Sequence, residues 1–317
     1  MDGILVVNKP IGPTSHDIVA LVRRLAGTRR IGHGGTLDPF ASGVLPLYLG
    51  LGTRVVEFHL GARKAYRATV VFGGSSTTDD LEGQITRTDG APPTREAVES
   101  GLAGYLGSCE QRPPAFSARK IGGRRAYALA RRGETPELKP RTVAFHALDL
   151  VSWDAADPEH PTAVVDVTCS AGTYIRALAR DLGEAVGSAA YLGALQRTAS
   201  GPFTLADAHA LDEVRAASAA ERLGDLLLPP GAGLEDMPAV TLADAELRAV
   251  AHGGWTGRVD RLGGSEREIR PGTAVRLLAP GGVLAAIARV ADDGRIVTDK
   301  VLLDREAPTR ERETSGA

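Results

Sequence analysis

The run Tyr66-Arg67-Ala68-Thr69-Val70-Val71-Phe72 carries the most information about the fold. Successive side chains of an extended chain point to opposite faces, so Tyr66, Ala68, Val70 and Phe72 share one face and Arg67 and Thr69 the other. A strand with one apolar and one polar face suits a sheet covered on one side, as in antiparallel or mixed pairing. Further strands are predicted at Gly3 to Val7, stopped by the Asn8-Lys9-Pro10 turn, and near Thr142 to Trp153 and Ala163 to Cys169. Between them lie helical patterns. Ser15 reads as the cap of a helix to about Ala26, with Ile18, Val19, Val22 and Leu25 on one face and Gly27 at its end. Thr94 opens a second helix, to Leu106. Beyond Gly172, the positions Ile175, Leu178, Ala179, Leu182 and Val186 recur at helical spacing up to Gly187. A short basic helix is read at Arg124 to Arg132 after a Gly122-Gly123 turn, and Ile31 to Phe40, rich in glycine and proline, reads as loop. Strands arriving in pairs between isolated helices predict an α/β mixed (α+β) fold, a central mixed or antiparallel sheet with flanking helices.

The 317 residues suffice for a large core and a smaller one. A linker at Leu226 to Met237, with Pro229-Pro230-Gly231, places domains at 1–228 and 237–303. The second is short-stranded and β-rich, and 304–317 is a charged tail predicted to be disordered. Two cysteines, Cys109 and Cys169, without C-x-x-C spacing argue against a disulfide framework or thiolate metal site. No apolar run approaches a membrane span and no signal peptide is evident, so a soluble cytoplasmic protein is expected. The net charge of −2 conceals segregation. From Leu21 to Arg67 eight bases face only Asp38 and Glu57, and from Arg112 to Arg141 nine face Glu134 and Glu137. Such blocks suit a phosphate-tracking surface, and equally a solvated helix face.

No phosphate loop, H-E-x-x-H or G-x-S-x-G occurs, and the seven histidines lack ligand spacing, so neither metal nor cofactor is expected. What remains is Gly32-His33-Gly34-Gly35-Thr36-Leu37-Asp38-Pro39. Glycines let a ligand approach the backbone closely, and the single carboxylate sits between Leu37 and Pro39, where partial desolvation can tune it. An isolated Asp-Pro also reads as a plain surface turn.

That loop, continued by Ala41-Ser42-Gly43-Val44-Leu45-Pro46, resembles the signature of the TruB-type tRNA pseudouridine-55 synthases. Asn8-Lys9-Pro10 with Gly12, Thr14 and Ser15 resembles the family's N-terminal segment, Lys64-Ala65-Tyr66-Arg67 its K-x-Y strand, and Thr78, Asp80 and Gly83 its acidic turn. Pro114, Ser117-Ala118, Lys120, Gly123, Arg125 and Tyr127 follow its basic segment, Gly172-Thr173-Tyr174-Ile175-Arg176 its helix start, and Leu195 before Arg197 its last pocket segment. Gly34 stands where the family usually has threonine, and Gln196 where it often has arginine.

The resemblance implies the pseudouridine-synthase fold with a PUA-like C-terminal domain, and isomerisation of uridine 55 in the T-loop of tRNA after base flipping. It implies Asp38 as the carboxylate acting at the ribose, Arg176 as its partner and Tyr66 as the ring stacked on the uracil. Tyr174 and Leu195 would wall the pocket, and His33 would fill the space the base vacates. Lys9, Lys64, Arg119 and Lys120 would hold phosphates, and Asp80 a base edge or a reorganised loop. The implied partner is the tRNA elbow, with no obligatory protein partner and a monomeric enzyme. Taken alone, Tyr66, Tyr174 and Leu195 also read as core, Arg176 as a surface arginine and His33 as a satisfied loop histidine. Two other readings remain: a tRNA-folding factor without catalysis, and a guide-RNA-dependent relative.

Overall fold

The structure, a computed structural model, describes residues 1–88, 90–116, 138–262 and 269–303, together with the backbone of 120–121 and 124–125. By packing it divides into two units: Leu5–Leu47 with Glu57–Leu226, and Met1–Ile4 with Tyr48–Val56 and the chain from Leu227 onward.

The larger unit is organised on one mixed sheet. Its strands are β1 (Gly3–Lys9), β2 (Ile31–His33), β3 (Ser42–Leu49) and β4 (Lys64–Phe72), with β5 (Gly74–Ser76) and β6 (Ile85–Arg87) forming a separate hairpin. After β7 (Gly107–Gln111) come β8 (Lys120–Ile121) and β9 (Arg124–Arg125), paired only with each other. Then follow β10 (Arg141–Asp154), β11 (Thr162–Cys169), β12 (Ala190–Ser200), β13 (Phe203–Thr204) and β14 (His209–Ala210). The spatial order is β14-β1-β3-β12-β4-β11-β10-β7, with β2 beside β3 and β13 beside β12. β12 runs parallel to β3 and antiparallel to β4, so the sheet changes sense at its centre. The helices are α1 (Ser15–Leu25), α2 (Val56–Leu60), α3 (Arg95–Ala103), α4 (Ile175–Ala185) and α5 (Leu211–Ala219).

The alternation in β4 is realised. Ala68, Val70 and Phe72 are at most 2% exposed, and Phe72 meets Trp153 of β10 at a centroid distance of 5.8 Å. Tyr66 on the same face is only half-buried, because there the sheet opens into a cavity. α4 buries Leu178, Ala179 and Leu182 as its spacing predicts.

Three local expectations change. The cap of α1 is Thr14, which accepts from the Asp17 amide at 3.1 Å while Asp17 accepts from the Thr14 amide at 2.8 Å. This reciprocal box satisfies two orphan donors and frees Ser15 for another task. Ile31–His33, read as loop, pairs with β3. Arg124 and Arg125, read as helix, lie in β9, and residues 126–132 fall outside the described residues, as do Gly122, Gly123 and the 304–317 tail.

The smaller unit holds β15 (Ala239–Thr241), β16 (Thr256–Arg258), β17 (Ala274–Leu278), β18 (Leu284–Val290) and β19 (Arg295–Val301), in the order β15-β17-β18-β19-β16, with α6 (Asp244–Ala251) against them. Val240, Val250, Trp255, Val275, Leu277 and Ile296 form its core. Ile4 and Leu228 exchange two backbone hydrogen bonds of 2.9 Å, so the chain's first residues pack with this unit. Among the described residues no helix is long and apolar enough to cross a membrane.

Candidate active site

β12 lies between β3 and β4, and its register sets Arg197 beside Gly43 on one side and Tyr66 on the other. The loop from β2 to β3 and the start of α4 close over this point. They enclose a cavity of about 360 Å³ lined by Asp38, Lys64, Tyr66, Tyr174, Arg176, Leu195 and Arg197.

Buried polar side chains hold the loop. The Ser15 hydroxyl, 1% exposed, accepts from the Leu37 amide at 2.8 Å and donates to the Leu37 carbonyl at 3.0 Å. On the other side of Asp38, Lys9 is fully buried and donates to the carbonyls of Ala41 at 2.6 Å, Pro10 at 2.9 Å and Pro39 at 3.3 Å. Burial pushes the Lys9 ammonium down to about 8, against the pull of Asp38. Arg197 donates to the carbonyls of Val44 at 2.7 Å and Gly35 at 3.0 Å. Each bond contributes about 1 kcal/mol net, but leaving its buried partner unmet costs more. The residues flanking Asp38 are thus fixed on both sides, as a catalytic group requires. Gly43 has φ +103°, and a Cβ there would overlap the Arg197 carbonyl. Gly43→Ala is therefore expected to lose about 3 kcal/mol or more in urea unfolding; a loss below 1 kcal/mol would contradict the tight β3–β12 contact.

Asp38 meets Arg176 Nε at 3.1 Å and keeps 39% of its side chain open. Arg176, only 7% exposed, spends its other donors on Asp80 at 3.0 Å and the carbonyls of Thr78 at 3.1 Å and Phe116 at 3.0 Å. Asp80 is buried and also accepts from Thr78 Oγ1 at 2.5 Å and the Glu82 amide at 3.0 Å. The guanidinium is thereby locked in one plane and presents one edge to Asp38. Burial raises the Asp38 carboxyl above its ordinary value; Arg176 opposes this, Asp80 adds to it and Lys9 opposes it. Burial also raises the Tyr66 phenol, and Arg197, which hydrogen-bonds it, pulls the other way. At the start of α4, Gln111, 3% exposed, accepts from the Tyr174 amide at 2.9 Å and donates to its carbonyl at 3.0 Å, fixing that wall. Among the described residues no group of three metal-ligating side chains converges.

This carboxylate–guanidinium pair in a pocket walled by Tyr66, Tyr174 and Leu195 suits chemistry at the sugar of one bound nucleoside. The profile of the TruB family pseudouridylate synthase N-terminal domain matches residues 23–175, and that of the tRNA pseudouridylate synthase B C-terminal domain matches 176–235. The tRNA pseudouridine synthase B of Bradyrhizobium diazoefficiens is 42% identical over 304 residues, covering 94% of this chain and 85% of that protein. That of Thermobifida fusca is 43% identical, covering 90% and 94%. The chain belongs to the TruB family of pseudouridylate synthases. Among solved structures, a Cbf5-Nop10-Gar1 complex contains a chain matching at a TM-score of 0.70 with 25% identity, over 96% of this chain and 86% of that one. An H/ACA ribonucleoprotein bound to a substrate RNA containing 2′-deoxyuridine matches at 0.72 with 24% identity, over 96% and 86%, and so shares the fold.

Of the residues that the TruB resemblance singles out, Asp38, Tyr66, Arg176, Tyr174 and Leu195 meet at the cavity. Lys9 and Asp80 are not among the residues that line it. Lys9 is buried beneath the loop and presents no ammonium to a phosphate. Lys64 is 6% exposed, lines the cavity and donates to the His59 carbonyl at 3.2 Å, so it is not a groove-surface cation. Asp80 is sealed against Arg176 and offers nothing to a base edge. His33 adjoins the lining glycines Gly34 and Gly35, and its Nδ1 accepts from the Gly35 amide at 3.3 Å. Burial, then His16 and Arg197, lower its pKa, so its ring is neutral. Arg119 and the side chain of Lys120 lie outside the described residues. Sequence reasoning assigned no site role to Arg197 or Gln111 and read Ser15 as a helix cap. Arg197 carried a signal, since it follows Leu195 at period two on the inward face of a strand, where an unpaired charge is costly.

Proposed function

We propose that this chain isomerises uridine to pseudouridine at position 55 in the T-loop of tRNA, with Asp38 as its catalytic carboxylate. The observation that carries this reading is the Asp38–Arg176 pair at 3.1 Å, beside Tyr66 in a cavity of nucleoside size. The uridine is flipped from its stack into this cavity, at a cost of a few kcal/mol. Tyr66 stacks on the uracil, Tyr174 and Leu195 flank it, and the neutral His33 ring occupies the space the base leaves. Asp38 acts at the ribose, by attack on C1′ or removal of the C2′ proton; either route needs an ionised carboxylate beside the anomeric carbon. The C1′–N1 bond breaks with its electron pair leaving on the base. The base turns and C5 bonds to C1′ as Asp38 leaves C1′ or returns the proton to C2′; the C5 hydrogen then departs as a proton and N1 takes one up, so the net change is isomerisation.

The catalytic part is the 1–228 region, and the β-rich 237–303 region grips the RNA. The enzyme acts in the cytoplasm as a monomer, without a guide RNA, a protein partner, a metal or a cofactor. The test is tritium release from tRNA transcript carrying 5-tritiated uridine, with purified protein alone. About one tritium released per tRNA is expected, because C5 loses its hydrogen only when the new bond forms there. Tight binding without release would favour a tRNA-folding role or a need for a guide.

A further inference from the structure

The cavity contains more positive charge than the Asp38–Arg176 pair uses. Its lining carries one carboxylate, Asp38, and three cations, Lys64, Arg176 and Arg197. Arg176 is neutralised by Asp38 and Asp80. Among the described residues, neither Lys64 nor Arg197 has a carboxylate within ion-pair distance. Arg197, 2% exposed, is satisfied by the carbonyls of Gly35, Thr36 and Val44 and by the Tyr66 phenol, all neutral. Lys64, 6% exposed, donates to the His59 carbonyl at 3.2 Å, and an ammonium has three protons to give. The two cations sit on neighbouring strands. Lys64 and Tyr66 share one face of β4, and Arg197 is the cross-strand partner of Tyr66.

The fields at Asp38 and Lys64 come mainly from different groups, although Arg197 also acts on Lys9. The field at Asp38 comes from Arg176, Asp80 and Lys9, whereas that at Lys64 comes from Arg197 and Cys169. Burial, then Arg197, push the Lys64 ammonium down to about 8, so the folded protein bears a cost for holding it charged. A buried cation without an acid partner is among the least favourable arrangements in a protein interior. It is repaid when an anion forms beside it, and preorganised charge aimed at developing charge is a large source of rate enhancement. Uridine enters neutral. The detached uracil is an anion, its electron pair spread from N1 over O2 and O4.

We propose that Lys64, supported by Arg197, is a catalytic residue that stabilises the uracil anion released when the C1′–N1 bond breaks. This rests on the isomerase reading above. The pair of electrons leaving C1′ stays on the base, the ammonium donates to a uracil oxygen without giving up its proton, and the interaction fades as C5 attacks C1′ and the anion is consumed.

The test compares wild type with Lys64→Gln and with the apolar, similarly long Lys64→Met. Single-turnover rates are measured at saturating enzyme, and tRNA affinity is measured across a salt series. The expected result is a rate lowered about 10²–10³-fold in both variants, as for loss of one preorganised donor, with dissociation constants and salt slopes unchanged. The deficit should shrink several-fold on tRNA bearing 5-fluorouridine, followed as loss of that nucleoside. Fluorine makes the departing base a better anion and lessens the need for the ammonium, whereas a merely structural role would leave the ratio unmoved. A wild-type rate at saturation with weakened binding and a salt slope reduced by about one would mean that Lys64 holds a substrate phosphate, and would overturn the proposal. An equal deficit on both substrates would overturn it too. Wild-type protein that releases no tritium would sink the isomerase reading itself, an outcome separate from these.

Discussion

Asp38→Asn is expected to bind tRNA as wild type does and to form pseudouridine at less than about one thousandth of the wild-type rate. Asparagine keeps the size of the side chain and a carbonyl oxygen for Arg176, so the loop held by Ser15, Lys9 and Arg197 is undisturbed. What it loses is the charge that must act at the ribose. The mutation should not weaken the fold. Burial raises the folded-state pKa of Asp38 above the ordinary aspartate value, so the folded protein binds this proton more tightly than the unfolded chain does. Its contribution to stability therefore falls as pH rises through that interval, and above it the ionised carboxylate opposes folding. Removing the charge at pH 7 should leave the melting temperature unchanged or slightly raised, because Arg176 still pairs with Asp80. The same shift moves the acid limb of the wild-type rate above the ordinary aspartate range. Single-turnover rates and calorimetry check both points, and turnover within tenfold of wild type would remove Asp38 from the mechanism.

The frame of the molecule was legible where one local rule acts alone. The period-two run in β4 and the helical spacing in α4 describe half-buried elements, and both are where the pattern places them. The signature loop was legible as a site only through the resemblance, since an isolated Asp-Pro also reads as a surface turn, and the resemblance pointed to Asp38, Tyr66, Arg176, Tyr174 and Leu195, which meet at one cavity. Where two local rules competed, the reading went wrong. Ser15 was the obvious cap, but Thr14 with Asp17 three residues on makes a full capping box, and this frees the serine hydroxyl to grip Leu37.

The burial of the lysines was missed for a different reason. Lysine is seldom buried, so Lys9 and Lys64 read naturally as phosphate contacts. Their burial depends on carbonyls that only the tertiary fold supplies, Pro39 and Ala41 for Lys9 and His59 for Lys64. Asp80 and Arg197 follow the same logic, since a charge is tolerated inside only when distant partners surround it. Local sequence does not record which carbonyls will face a side chain from another strand or loop. The polar interior of this site is therefore the part least visible before the fold is known.

Arg176→Ala is expected to cost both activity and stability, and the two losses can be separated. Asp80, with a side chain 3% exposed, would be left without its ion-pair partner. Breaking such a pair from one side costs about 3–5 kcal/mol, or about 10 °C in melting temperature for a unit of this size. Activity should fall as well, since Asp38 would lose the group that orients it and favours its ionised form. Arg176→Lys tests geometry against charge. One ammonium cannot meet Asp38, Asp80 and the carbonyls of Thr78 and Phe116 together, so stability should recover in part and activity little. The double variant Arg176→Met with Asp80→Leu removes both buried charges and fills their space with apolar atoms, an exchange that is often neutral or stabilising. Its melting temperature should return towards the wild-type value while its rate stays at the level of Arg176→Ala. Recovery of activity in the double variant would mean that the guanidinium serves only to neutralise Asp80. Recovery of stability alone would assign Arg176 to the orientation and charge of Asp38, with Asp80 as the buried anchor that fixes the guanidinium plane.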